Sequence, residues 1–401
     1  MPQQNKAALA VLSVGHFVND TYASLLYPLL PLLATKLQLS PWQVFSLAPL
    51  FSITSSFMQP VYGFISDRYT RRSFAVMGPA ITATFVSLIG LAPRFGLLAM
   101  CLILGGAGAG AFHPQAAAIA ARSSRPFRRL GVSIFFSSGS LGLALGPLII
   151  AGIVGATDLS NTYYIMVFGW IASLLLFRFC PPLERLPAAH ASHTGRTRQL
   201  LDALRKARTP LLILYLITVA RTGMQMLVGN YWPFLLKGRG YSVEGTGAVL
   251  TAFLLAAAFG SFLGGAFAER VGGRAMNLFS GLLAAPLLMA APILSGPLST
   301  VCLMVGGFVL MSTMSVNVVL AQEVAPRDTS TVSALMMGSA WGVGALAPVV
   351  AGPLTQLFSM RAVLVGAAAV PLFTAFFALR LPQDRIVRAP IVEELGVPVG
   401  G

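Results

Sequence analysis

Charged residues are scarce in this chain of 401 residues. Asp, Glu, Lys and Arg make up 10% of it, whereas a soluble domain carries about 25%. Hydrophobic residues make up 56%, and the mean hydropathy is +0.78. No stretch has the mixed polar and apolar texture of a water-soluble domain, which excludes a chain of soluble domains. The composition predicts a polytopic membrane protein.

Acidic residues are the scarcest charged class. Only 12 Asp and Glu stand against 27 Lys and Arg, which gives a net charge of +15. In a soluble protein that excess would suggest nucleic-acid binding. Here the basic residues lie in short clusters between long apolar stretches, as in loops that face an anionic lipid leaflet. We therefore expect a lipid bilayer around the chain and no nucleic-acid partner.

Signals of catalysis and of cofactor binding are also missing. The three cysteines, Cys101, Cys180 and Cys302, form no CxxC pair, so neither a disulfide framework nor a zinc site is indicated. No phosphate-binding loop, HExxH motif or nucleophile elbow occurs. We expect no enzyme, no cofactor and no metal, and any substrate movement must draw on an ion gradient or on the membrane potential.

Long hydrophobic runs are plentiful. A membrane-spanning helix needs about 20 predominantly apolar residues, and twelve such spans are predicted. Of the 27 basic residues, 21 fall on the side of both termini, 5 fall on the other side and Arg221 lies inside a span. This bias predicts cytoplasmic termini. The approximate spans are 8–34, 42–66, 73–93, 96–121, 131–156, 161–180, 210–235, 243–268, 275–295, 298–321, 332–357 and 361–380.

One long polar connection divides the spans six and six. The predicted organisation is an N-terminal six-helix bundle (1–181), a cytoplasmic linker (182–209), a C-terminal six-helix bundle (210–381) and a cytoplasmic tail (382–401). The two bundles repeat each other: Asp67 and Arg68 after the second span recur as Glu269 and Arg270, 202 residues later. Parallel repeats of this kind place a substrate path between the halves, near the bilayer midplane.

The segment GFISDRYTRR resembles the signature loop of major facilitator superfamily transporters, with Thr70 at the place of the family's second glycine. The resemblance implies an all-α fold of twelve helices in two pseudo-symmetric halves. It also implies that this loop latches the halves through the eleventh span. For Arg71 and Arg72 the alternative is that they only set the topology. The residues that carry the loop motif are Gly63, Asp67, Arg68, Arg71 and Arg72, with Glu269 and Arg270 as the repeat.

Two narrower resemblances suggest efflux from a bacterial cell. The segment GLALGPLIIAG, with Gly142, Gly146 and Pro147, resembles the fifth-span motif of drug/proton antiporters. The segments HFVND and AFHPQAAAIAARSS are similar to parts of the fosmidomycin-resistance efflux proteins, although Gln115 stands where an acid is expected. The resemblance implies a monomeric antiporter in the bacterial inner membrane that acts on a small molecule such as fosmidomycin.

Four ionisable residues lie deep inside spans, where such residues are costly and usually functional. His16 and Asp20 are one helical turn apart, with Asn19 on the same face, and Arg221 and Gln225 repeat that spacing 205 residues later. The two pairs are therefore expected to face one cavity. His113 of the fourth span is the remaining ionisable residue. Asn230, Tyr231 and Trp232 follow about two turns further out, where they are expected to offer the substrate an aromatic wall and a hydrogen bond. Asn19 and Gln225 are also expected to contact the substrate.

The predicted mechanism divides these groups by charge. Asp20 would carry the proton, and Arg221, helped by His113 and His16, would bind an anionic group of the substrate. Two structural alternatives stay open: His113 bonds to a carbonyl freed by Pro114, or Arg221 pairs with Asp20 and holds two helices together. The expected function is export of a small anion driven by the proton gradient, the membrane potential or both. The alternative is proton-linked uptake of an organic anion.

Overall fold

The computed structural model describes residues 5–59, 61–62, 65, 72–124, 128–181, 208–324 and 335–381. The regular elements of these ranges are all helical. The remaining residues, which include Gly63, Asp67, Arg68, Arg71, most of the linker and the tail 382–401, lie outside the described ranges. The α-helices are α1 Lys6–Ser24, α2 Leu26–Leu37, α3 Pro41–Ser52, α4 Ser73–Ser87, α5 Phe95–Ser123, α6 Arg128–Ala156, α7 Met166–Phe179, α8 Arg208–Gly238, α9 Val243–Val271, α10 Gly273–Ile293, α11 Gly296–Met311, α12 Met314–Val324, α13 Ala340–Gly344, α14 Ala347–Ala351, α15 Leu354–Leu357 and α16 Met360–Phe377.

Ten helical segments of the described chain are long and apolar enough to cross a membrane, and they correspond to the third to twelfth predicted spans. The first two predicted spans are also helical, but they do not meet that criterion. The first is divided at Leu25 into α1 and α2, because Pro28 has no N–H and its ring clashes with the carbonyl of Ser24. In the second, α3 continues into a π-helical turn, Ile53–Phe57. Ten of the twelve predicted spans are thus confirmed.

The tenth span contains a break that the sequence analysis did not predict. The chain turns at Ser312 and Thr313, between α11 and α12. Carbonyl groups at the end of α11 therefore lack their usual partners from the next helical turn. This break lies in the middle of the span and creates a place where a buried cation can bind.

The helices form two groups, the N-terminal half (Lys6–Phe179) and the C-terminal half (Arg208–Arg380). They meet chiefly where α6 packs on α9, α2 on α8 and α3 on α14. One hydrophobic core, which includes Tyr27, Phe45 and Trp232, contains residues of both halves. At the end of the bundle where α1 begins, each half has a separate core, one with Leu12 and the other with Leu214.

We call this end the termini end and the opposite end, where α2 and α8 finish, the far end. The shared core lies toward the far end, and the separate cores lie at the termini end. Among the described residues, the two halves are therefore joined at the far end and have distinct interiors at the termini end.

Candidate functional site

Three ionisable side chains of the N-terminal half form one cluster. In α1, His16 and Asp20 lie one turn apart, and the His16 Nε2 atom is 3.1 Å from Asp20 Oδ2. His113 of α5 approaches from the other side, with its Nε2 atom 3.5 Å from Asp20 Oδ1. The sequence analysis predicted the first contact from the helical spacing. His113 is 97 residues away from His16, and the fold brings it to the same carboxylate.

A backbone carbonyl fixes the orientation of the His16 ring. The Nδ1 atom lies 2.7 Å from the carbonyl oxygen of Phe135 in α6, and the ring stacks on the Phe135 ring with centroids 4.1 Å apart. A carbonyl oxygen only accepts hydrogen bonds, so Nδ1 carries a hydrogen and donates. The Nε2 atom that faces Asp20 is then a bare lone pair unless a proton or another cation lies between the two side chains.

Asn19 holds the carboxylate from the side. Its Nδ2 donates to Asp20 Oδ1 at 3.1 Å, and its Oδ1 accepts a hydrogen bond from Thr82 Oγ1 of α4 at 3.2 Å. The Asn19 side chain is fully buried, whereas the Asp20 side chain is 20% exposed and the His113 side chain 25% exposed. Asn19, expected to contact the substrate, thus lies behind Asp20 in this conformation and supports its carboxylate.

The glycine motif of the fifth span forms the surface on which α1 lies. A Cβ atom at Gly142 would be 2.8 Å from the carbonyl carbon of Phe17. At Gly146 a Cβ atom would collide with Thr21 and Ser24. Small residues let membrane helices approach this closely. The motif therefore positions α1 and its polar cluster.

Pro147, the last residue of the motif, lies at the contact between the halves. The carbonyl group of Pro147 faces Gly247 of α9. Beside it, the N–H of Leu148 donates to Thr251 Oγ1 of α9 at 3.1 Å. The motif thus ends where the two halves touch near the far end.

Arg221 lies in a different environment from the one predicted. It is 1% exposed. Its Nη1 donates to Ser280 Oγ at 2.7 Å and to the carbonyl of Leu310 at 2.5 Å, and its Nη2 donates to the carbonyl of Asn277 at 3.2 Å. All three partners belong to the C-terminal half. Because Leu310 lies in the last turn of α11, the guanidinium sits at the negative end of a helix dipole.

The alternative in which Arg221 pairs with Asp20 is therefore not what the contacts show. Asp20 pairs with two histidines, and Arg221 with the broken tenth span. Sequence reasoning missed Asn277 and Ser280, which complete this second polar network. The signal was available, since Asn277 and Asn317 are amides inside apolar spans, and they hydrogen-bond to each other at 2.7 Å.

The remaining predicted substrate residues of α8 are buried at the far end. Tyr231 donates to the carbonyl of Pro348 at 2.7 Å, and its ring centroid is 4.2 Å from that of Phe45 in the N-terminal half. Asn230 donates to the carbonyl of Met226 at 2.8 Å. Trp232 is 1% exposed and Gln225 is 7% exposed. In this conformation, Tyr231 and Trp232 belong to the core that the halves share.

The predicted gating loop is described only at its edge. Gly63, Asp67, Arg68 and Arg71 lie outside the described residues, and the side chain of Glu269 does also. Arg72 donates to the carbonyl of Cys180 at 2.5 Å, and its guanidinium lies 5.3 Å from the centroid of the Phe177 ring. Arg270 lies in the last turn of α9. The latch between the halves stays a prediction.

Comparison with known proteins identifies the family. The family model of the Major Facilitator Superfamily matches residues 12–347 and, in a second match, residues 213–399. The chain belongs to the major facilitator superfamily. Its resemblance to this family, noted from the loop after the second span, is thus confirmed. Relatives and structural neighbours in this superfamily are membrane transporters and not enzymes.

Two bacterial relatives cover nearly the whole transporter. The fosmidomycin resistance protein of Escherichia coli (strain K12) is 28% identical over 381 residues, which are 94% of this chain and 93% of the relative. An uncharacterized MFS-type transporter, YfnC, of Bacillus subtilis (strain 168) is 29% identical over 386 residues, 95% of this chain and 94% of the relative. The first of these agrees with the narrower resemblance of the first and fourth spans.

Solved structures show the same fold. A bacterial homolog of the human lysosomal transporter Spinster, in an inward-facing and occupied conformation, has a TM-score of 0.80 at 17% identity and covers 95% of this chain and 98% of its own. A point mutant of the nucleoside transporter NupG has a TM-score of 0.76 at 13% identity, with 93% of this chain and 99% of its own covered. At such identities the likeness establishes the fold alone.

Proposed function

We propose that this multi-pass transporter exports a small anionic compound, of the fosmidomycin-like phosphonate class, by alternating access. The observation that carries the proposal is the partly exposed cluster of His16, Asp20 and His113 deep inside the first and fourth predicted spans. Beyond the break at Leu25, Tyr27 of α2 contacts the other half, since its hydroxyl lies 3.4 Å from Met226 Sδ of α8. A polar group in the middle of a membrane and between two halves of a bundle is typical of a transport site.

The substrate class follows from the charges near the cluster. Two imidazoles lie beside a single carboxylate, so once a cation occupies the His16 and Asp20 contact, the cluster has no net negative charge to repel an anion. Its exposed edge belongs to Asp20 and His113. The fosmidomycin resistance protein of E. coli, which is similar to this chain over nearly its whole length, supports a phosphonate as the first compound to test.

Two forces can drive the export. A monoanion that leaves a cell with a negative interior gains about 2.3 kcal/mol per 100 mV. A proton that binds at Asp20 from the outer side and is released inside would add the energy of the proton gradient. The proposed cellular location is the bacterial cytoplasmic membrane. Both termini would lie in the cytoplasm, and the protein would act as a monomer.

The uptake alternative loses part of its physical basis. It required Asp20 to release Arg221 when it takes up a proton, so that Arg221 becomes free to bind the anion. Arg221 instead donates three hydrogen bonds within its own half. Protonation of Asp20 therefore has no direct effect on the partners of Arg221 in this conformation, and we keep export as the proposal.

Resistance of a fosmidomycin-sensitive bacterium that expresses this chain tests the proposal. We expect expression of the wild-type chain to raise resistance and Asp20→Asn to abolish the increase. Asp158→Asn is the matched control, because Asp158 is an exposed acid whose carboxylate accepts hydrogen bonds from Ser160, and Asn can keep that helix cap. Full resistance with Asp20→Asn, at equal expression, would contradict the role of the cluster.

Everted membrane vesicles test the driving force. We expect the transported anion to accumulate at a reduced rate when the pH gradient is collapsed and the voltage is kept. Abolition of transport under that condition would refute the contribution of the voltage. Unchanged transport would refute coupling to protons.

A further inference from the structure

We propose that His16, Asp20 and His113 form a binding site for one divalent transition-metal ion with the ligand preferences of Zn²⁺. Each residue offers one ligand atom, and these three atoms lie within 4.8 Å of one another. No sequence pattern indicates the site, because its two histidines stand on α1 and α5. The fold, and not a local motif, assembles it.

The distances between the ligand atoms fit a tetrahedral ion. Zinc binds imidazole nitrogen at about 2.0–2.1 Å and carboxylate oxygen at about 2.0–2.2 Å, so neighbouring ligand atoms of a tetrahedral site lie roughly 3.3–3.5 Å apart. In the structure, His16 Nε2 lies 3.1 Å from Asp20 Oδ2 and His113 Nε2 lies 3.5 Å from the other oxygen, Asp20 Oδ1, while one ligand atom from each residue can be chosen so that all three lie within 4.8 Å of one another. Binding of one ion therefore requires the three side chains to close on it, with one Asp20 oxygen turned toward both imidazoles.

The atoms behind the ligands are arranged as in metal sites. A histidine that binds a metal nearly always donates its other ring N–H to a carbonyl or a carboxylate. His16 does this through Nδ1 to the carbonyl of Phe135 at 2.7 Å. Asn19 orients the carboxylate of Asp20 and is itself held by Thr82. Both supports leave the lone pairs of His16 Nε2 and Asp20 Oδ2 directed at each other.

That arrangement demands a positive charge between the two atoms. A bare imidazole nitrogen and a carboxylate oxygen at 3.1 Å repel each other unless a proton or a metal ion lies between them. A proton satisfies only this one contact, whereas a metal ion satisfies all three ligand atoms. Two imidazoles and one carboxylate suit Zn²⁺, Ni²⁺ or Co²⁺, while Mg²⁺ and Ca²⁺ prefer oxygen ligands only.

The burial of the cluster leaves room for a further ligand. The His16 side chain is 4% exposed, but those of Asp20 and His113 are 20% and 25% exposed. The open side of the cluster thus belongs to the two outer ligands. A water molecule can complete the coordination there, which is the arrangement of sites that keep an exchangeable position.

The test is Zn²⁺ titration of the intact chain in detergent micelles by calorimetry, after removal of any affinity tag. We expect one ion per chain, and His16→Gln, His113→Gln and Asp20→Asn should each weaken binding at least tenfold. The double variant with His190→Gln and His193→Gln is the matched control, because these are the chain's other two histidines. It should bind as the wild type does.

Two results would overturn the proposal: no binding by the wild type, or loss of binding in the double variant with retention in His113→Gln. If His16→Gln fails to fold, X-ray absorption of the Zn²⁺-loaded wild type decides the question. The same measurement on the variant with His190→Gln and His193→Gln excludes the other two histidines: two imidazole ligands at the ion in both proteins support the site, and any other count refutes it. Neither readout depends on transport, so failure of the proposed export leaves this result unaffected.

Discussion

Replacement of Gly142 by alanine tests whether the glycine motif holds the polar helix in place. The added Cβ would lie 2.8 Å from the carbonyl carbon and 3.0 Å from the Cα of Phe17, and closer still to its carbonyl oxygen. These are backbone atoms of α1 and cannot rotate away. Overpacking of this kind costs about 1–3 kcal/mol, while alanine gains about 1 kcal/mol over glycine in a helix interior.

Gly152→Ala is the control on the same helix, since a Cβ there has nothing within 4 Å. It keeps the gain in helix propensity without the clash. We therefore expect the free energy of unfolding of Gly142→Ala to be about 1–3 kcal/mol below that of Gly152→Ala. Unfolding by SDS in mixed micelles, followed by circular dichroism, measures the difference. Equal stability of the two variants would show that α1 and α6 do not approach as closely as described.

Two further substitutions test the contacts of the two halves. Thr251→Val removes the acceptor for the Leu148 N–H. Because an interhelical hydrogen bond contributes about 0.6 kcal/mol, the population that is open at the far end should increase roughly threefold. Distance distributions between spin labels on the two halves measure this population, and an unchanged population would contradict the contact. Arg221→Ala leaves a cavity and frees the carbonyl of Leu310, so we expect a loss of at least about 3 kcal/mol in the free energy of unfolding. Unchanged stability with weaker transport would instead support Arg221 as a substrate ligand.

Hydropathy was sufficient to predict ten of the spans because their sequences are predominantly apolar. The first span failed that criterion for a physical reason, since its polar face with His16, Asn19 and Asp20 lowers the mean hydropathy and Pro28 divides the helix. Those features were visible in the sequence as functional signals. They were not recognised as signals of a broken helix.

The candidate site was predictable only where its members share a helix. The spacing of His16 and Asp20 places them on one face, and the structure brings their side chains to 3.1 Å. The repeat likewise placed Arg221 in register with His16, but register does not determine which neighbours a side chain chooses. The break between α11 and α12 offers Arg221 unpartnered carbonyls in its own half, and no periodic pattern reveals that break.

The separation of the two polar networks has a consequence for movement. The contacts of Asp20 with His16 and His113 lie inside the N-terminal half, and the hydrogen bonds of Arg221 lie inside the C-terminal half, where its Nε atom is buried without a hydrogen-bond partner. Contacts across the far end are instead hydrogen bonds such as those from Lys237 Nζ to Thr35 Oγ1 at 3.0 Å and from Tyr27 to Met226. A few such bonds amount to about 2 kcal/mol. Parting of the halves at the far end therefore leaves both polar networks intact, but it breaks these hydrogen bonds and separates the shared hydrophobic core around Phe45, Tyr231 and Trp232.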